Sequence, residues 1–152
     1  MEVTREENLS LRGDCIVGVR SEKGAKSLSV ELKQTIRNSG HLVVLLTSDE
    51  AFDFFTCMGT RELPFSDETK IIFRKSSFIS PATVGIRCSK SAGDLNRELI
   101  SNLKNGKPLT VHLLAFTAQP EDEEVLRVFI DLLPGTNVKS LKDRFLAEKV
   151  NA

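Results

Sequence analysis

Two tetrapeptides, 17–20 (VGVR) and 84–87 (VGIR), set an arginine at the same register of two like segments. Side chains alternate along an extended strand, so Val17 and Val19 share one face while Gly18 and Arg20 share the other. A guanidinium grips phosphate or carboxylate through a planar fork. Arg20 and Arg87, if brought to one surface, would therefore make an anion site. Two further groups could join them. Arg12 and Asp14 flank Gly13, with Asp14 a candidate general base or metal ligand beside Arg12. Arg74, Lys75 and Ser76 close an apolar run and suit an anion-contacting edge. Each group also has a scaffold explanation. The glycines of VG[VI]R leave room for packing, and the arginines could pair with Glu31 and Glu98. Gly13 can turn the chain into a strand begun by Asp14. Charges at 74–75 can protect a sheet edge. The adhesion tripeptide RGD is matched by letters only.

The catalytic inventory is thin. His41 and His112 are the two histidines, and neither has a Ser, Cys or Asp at motif spacing. There is no Walker loop, HExxH, GxSxG or EF-hand. Cys15, Cys57 and Cys88 show no CxxC or zinc spacing. They are expected as unpaired, reduced thiols buried as small core residues. No metal and no cofactor is implied. Phe52, Phe54 and Phe55 sit in an apolar run and read as core, not as a base-stacking platform. The leading expectation is a non-enzymatic binding or structural module, with self-association into a symmetric homo-oligomer open to it. The alternative is an enzyme or a small-anion (phosphate or carboxylate) binder using Asp14, Arg20, Arg74 and Arg87. Nucleic-acid binding through a local basic patch stands third.

Composition sets the outer bounds. The 152 residues carry 21 Lys plus Arg against 21 Asp plus Glu. A balanced charge disfavours holding nucleic acid through its phosphates. The opening MEVTREENLS is charged and unlike a signal peptide, and no apolar run approaches the roughly 20 residues that span a bilayer. A cytoplasmic protein without a membrane partner is expected, folded as one domain over 1–152.

The two tetrapeptides begin a longer likeness. At an offset of 84 − 17 = 67, residues 17–46 lie over 84–113 without a gap, and 12 of the 30 positions are identical. About two would be expected by chance at one offset, so an internal duplication is inferred. Upstream, 2–6 (EVTRE) resembles 71–75 (IIFRK), giving repeats of about 2–58 and 71–131. Each copy reads as strand, connection, strand, helix, strand, strand. Ala25, Leu28, Leu32 and Ile36, and equally Ala92, Leu95, Leu99 and Leu103, follow helical spacing. Ser27 and Asp94 are candidate caps, and Asn-Gly signals end both helices. Strands follow at 42–47 and 109–116, with 51–58 hairpinned to the first. By analogy 125–131 is expected as a strand; the alternative is a helix with Val125, Phe129, Leu132 and Leu133 on one face. A helix at about 140–150, capped by Ser140, ends the chain. The fold class expected is α+β, mainly β: an antiparallel sandwich of two pseudo-twofold repeats, each with one helix.

Three motifs, RGDCIVGV at 12–19, FRKS at 73–76 and DLNREL at 94–99, resemble in order and spacing an archaeal family of uncharacterised proteins, domain of unknown function 371. The likeness covers roughly 2–117. The family's usual lead-in, a Gly-His strand with further histidines, is missing here. The resemblance implies a compact jelly-roll-like sandwich with two helices and implies no activity.

Overall fold

The computed structural model describes residues 1–6, 16–18, 21–38 and 40–150. Their fold class is α+β, in two compact units, Met1–Ala118 and Gln119–Ala152.

In the first unit, β1 (Glu2–Thr4), β2 (Ile16–Gly18), β5 (Lys70–Phe73) and β6 (Thr83–Gly85) form a four-stranded sheet in the order β2-β1-β5-β6. β3 (His41–Ser48), β4 (Ala51–Met58) and β7 (Thr110–Phe116) form a second sheet in the order β4-β3-β7. The second sheet is antiparallel throughout, as expected. Leu42 through Leu46 are all buried in its central strand β3, which suits an unbroken apolar run covered on both faces. β3 turns into β4 at Asp49 and Glu50, and Asp49 takes φ 52, a conformation a short polar side chain tolerates. Phe52, Phe54 and Phe55 are core, at 5–6% exposure for the first two and 1% for the third.

The first sheet corrects the antiparallel expectation. β1 runs antiparallel to β5 (Glu2 opposite Ile72), but β1–β2 and β5–β6 are parallel pairs. A two-residue hairpin forces antiparallel pairing. Here the residues from Arg74 to Ala82 carry the chain back before β6 begins, so the strand can re-enter in the same direction.

α1 (Val30–Arg37) and α2 (Arg97–Lys104) each follow a short 3₁₀ turn, Ala25–Ser27 and Ala92–Asp94. The caps are Ser29, whose hydroxyl accepts the Leu32 N–H, and Asn96, whose side-chain oxygen accepts the Leu99 N–H. The expected caps Ser27 and Asp94 belong to the 3₁₀ turns instead; Asp94 forms a capping box with Ser91. Leu28, Ile36, Leu95 and Leu99 are buried, while Leu32 and Leu103 are half-buried against the same cluster. That cluster also takes in Val3, Ile71, Phe73 and Val84 from one sheet and Leu42, Val44, Leu46 and Phe55 from the other.

Cys57 and Cys88 are joined by a disulfide, with their Cα atoms 4.0 Å apart. This corrects the expectation of free thiols. Met58 and Ile86 exchange both backbone hydrogen bonds (2.8 and 3.0 Å), and that bridge brings the two cysteines together from 31 residues apart. Spacing motifs such as CxxC register neighbours in sequence and are blind to such a pair. Cys15, the third thiol, lies outside the described residues.

In the second unit, α3 (Asp122–Leu132) and α4 (Val138–Val150) pack through Phe129 and Phe145, whose rings meet edge to face at 6.1 Å. The strand expected at 125–131 is therefore helix. Asp122, Glu123 and Glu124 fill its first turn, where the helix dipole favours anions, and Val125, Leu126 and Phe129 are buried at helical spacing. The cap of α4 is Asn137, whose Oδ1 accepts the Ser140 N–H, and not Ser140 itself. Among the described residues, no helix is long and apolar enough to cross a membrane.

Candidate functional site

Beyond Phe73 the chain leaves β5 but stays beside the chain leaving β6. The Arg74 N–H donates to the Gly85 carbonyl at 3.0 Å, the Cys88 N–H to the Arg74 carbonyl at 2.9 Å, and the Arg87 N–H to the Ser76 carbonyl at 2.9 Å. Four of the seven expected site residues, Arg74, Lys75, Ser76 and Arg87, are thereby gathered at one junction. Arg12, Asp14 and Arg20 lie outside the described residues.

Arg87 has a φ of 49. For a residue with a Cβ the left-handed region costs roughly 1–2 kcal/mol, and glycine or asparagine is its usual occupant. The Ser76 hydrogen bond on its own amide, the Met58–Ile86 bridge before it and the disulfide after it hold Arg87 in this conformation. Its side chain is exposed, and no carboxylate pairs with it among the described residues. The scaffold alternative, an Arg87–Glu98 pair, does not form. Glu98 instead borders an open cleft of about 470 Å³ with Asp49, Glu50, Asn102 and Lys107.

Arg74 is half-buried and, among the described residues, also has no carboxylate partner. Its Nε lies 3.4 Å from Thr83 Oγ1 and its Nη2 3.3 Å from Ser80 Oγ. Those hydroxyls are themselves linked at 3.0 Å, so neutral oxygens aim the guanidinium while leaving its charge uncompensated. Its carbon sits 4.9 Å over the centroid of the Phe78 ring. Lys75 Nζ lies 3.4 Å from Asp94 Oδ2, both half-exposed, a weak contact in water. The Asp94 carboxyl is held below the usual carboxylate range, first by the Ser91 amide, next by the Ser91 hydroxyl and then by Lys75. Of the three cations at the junction, Lys75 meets a carboxylate among the described residues, while Arg74 and Arg87 do not.

Two residues that sequence reasoning passed over bear on the site. Phe78 is 62% exposed, a lone ring in a loop of serines; an aromatic isolated among polar residues was the available signal. Asp53 is 1% exposed in β4. It accepts from Lys90 Nζ at 2.6 Å, from the Phe54 amide at 2.7 Å and from the Asn96 amide at 2.7 Å. That ties β4 to the start of α2, and the single acid in AFDFF was its only trace in the sequence. His112 lies in β7 opposite Leu45, and partial burial pushes its imidazole below the usual histidine range. Among the described residues, no cluster of three His, Cys, Asp or Glu side chains could hold a metal ion.

A family model described as "Domain of unknown function (DUF371)" matches residues 1–116. The chain is also similar to an uncharacterized protein of Methanocaldococcus jannaschii, at 33% identity over 114 residues, which cover 75% of this chain and 84% of that relative.

Proposed function

Since the chain belongs to the family described as Domain of unknown function (DUF371), whose description assigns no reaction, we propose from the geometry a binding module that holds a small phosphate- or carboxylate-bearing ligand where the chain leaves β5 and β6. One observation carries this: Arg87 is an exposed arginine without a carboxylate partner among the described residues, kept in a backbone conformation that a glycine would adopt at lower cost. Strain of this kind clusters where a side chain must be presented for binding. Arg74, aimed by hydroxyls only, and Lys75 add charge beside it. The ligand is bound and not turned over in this reading, because the carboxylate at the junction, Asp94, is already engaged by Ser91 and Lys75.

The test is thermal unfolding in millimolar phosphate, since a ligand of the native state raises the midpoint by linkage. The wild type should gain stability with phosphate. Arg87→Gly should lose that gain while unfolding at the same temperature or higher without phosphate. A wild type indifferent to phosphate and to small carboxylates would overturn the proposal. So would an Arg87→Gly variant that is strongly destabilised, which would make Arg87 part of the scaffold.

We further propose that Met1–Ala118 is a duplicated unit with an approximate internal twofold. In support, β2 and β6, the two 3₁₀ turns, and α1 and α2 all recur at the offset that aligns Val17 with Val84. The central pairs Leu45–His112 and Glu2–Ile72 join equivalent strands of the two copies. Core residues shared by both sheets support a sandwich arrangement. In this scheme Arg20 is the counterpart of Arg87.

A further inference from the structure

We propose that the ligand of this site carries a planar ring beside its anionic group, as a mononucleotide does, and that the ring stacks on Phe78. The inference rests on the anion-binding reading above and adds the chemistry of the uncharged part. Phe78 is 62% exposed, although a ring of that size gains from burial. Its position is nonetheless set. Its amide donates to Ser76 Oγ at 3.3 Å, and the Arg74 guanidinium lies over the ring at 4.9 Å. Arg74 is in turn held by Ser80 and Thr83, and Thr83 is fully buried. A ring backed by a cation on one side and open to water elsewhere is prepared to stack a flat π-system, and base–aromatic stacking tolerates any planar base. The anionic end has its own partners close by in the chain. Lys75 and Ser76 lie three and two residues before Phe78, and Arg87 is hydrogen-bonded to the Ser76 carbonyl. The amides of Lys75, Ser76 and Ser77 donate to no acceptor among the described residues, so they remain open to a phosphate oxygen. Three cations at the junction, of which Lys75 is the one that meets a carboxylate among the described residues, suit a single phosphate group, and the balanced charge of the whole chain, 21 against 21, does not suit a polyanion.

The experiment is calorimetric titration of the full chain with adenosine 5′-monophosphate, ribose 5-phosphate and hexyl phosphate. The nucleotide should bind at least about tenfold tighter than ribose 5-phosphate, a difference in the range of one stacked base. Phe78→Ala should erase that advantage and leave ribose 5-phosphate binding as it was, with an unchanged unfolding midpoint because the ring is exposed. Arg87→Gln should weaken both phosphates together. Equal binding of the two in the wild type overturns the ring while sparing the anion site. A nucleotide advantage that survives in Phe78→Ala, or hexyl phosphate binding as tightly as the nucleotide, overturns it equally. If none of the three phosphates binds, the anion site fails and the ring with it.

Discussion

Lys90 Nζ lies 2.6 Å from Asp53 Oδ1, and the carboxylate it meets is 2% exposed against 19% for the lysine side chain. A charge so placed is tolerable only while all its partners are present. Removing one member of a buried pair strands the other and costs about 3–5 kcal/mol. Asp53→Ala should therefore lower unfolding stability by that order in denaturant titrations. Lys90→Met should cost less, because the Phe54 and Asn96 amides still satisfy the carboxylate. Near-equal stability of Asp53→Ala and the wild type would show that the pair does not form.

Gly85 and Gly18 occupy the same place in the two VG[VI]R segments but differ in tolerance. A Cβ on Gly85 would lie 2.7 Å from Cys57 Cβ, which the disulfide holds in place. A Cβ on Gly18 would first meet the end of the Leu109 side chain at 3.2 Å. Overpacking of this kind costs typically about 1–3 kcal/mol. Gly85→Ala should show that loss, and Gly18→Ala should stay well below it. Peptide mapping without reduction should recover Cys57 and Cys88 in one linked fragment. Free thiols at both positions would remove the clamp on which the contrast depends.

His112 supplies a pH test with a definite sign. Its folded pKa is depressed by burial, so the unfolded chain binds the proton more readily. The histidine should cost nothing above its unfolded pKa of about 6.5. It should cost progressively more as pH falls from there through the folded value. His112→Gln should flatten the slope of stability against pH in that window. An unchanged slope would mean that the imidazole is as well hydrated folded as unfolded.

What could be read in advance was set by local pattern. The stripes ending in Ile36 and Leu103 and the hairpin of β3 with β4 were legible, because period and turn chemistry are written in neighbouring residues. The caps were displaced from Ser27 to Ser29 and from Asp94 to Asn96, since a 3₁₀ turn and an α-helix look alike over three residues. The strand expected at 125–131 failed because analogy with β4 outweighed the acids of its first turn. The Cys57–Cys88 link and the Asp53–Lys90 pair depend on how the folded chain brings distant segments together, and no spacing rule expresses that. At the candidate site, Arg74, Lys75, Ser76 and Arg87 were visible as charge and register. Phe78 left only the trace of an aromatic among serines, because its meaning lies in exposure.

The strand pairings also dictate an order of events. β3 and β4 meet across a turn of two residues, a contact that closes in microseconds. β1 cannot find β5, nor β3 find β7, until segments far apart in the chain have met. Closing such loops costs entropy before the contacts return any stabilisation. The hairpin is therefore the natural first platform, and the two long-distance pairings set the rate. Substitutions along the outer strand β7 should slow folding more than changes of equal severity at the hairpin turn, so the edge that looks peripheral in the finished molecule governs how quickly it is made.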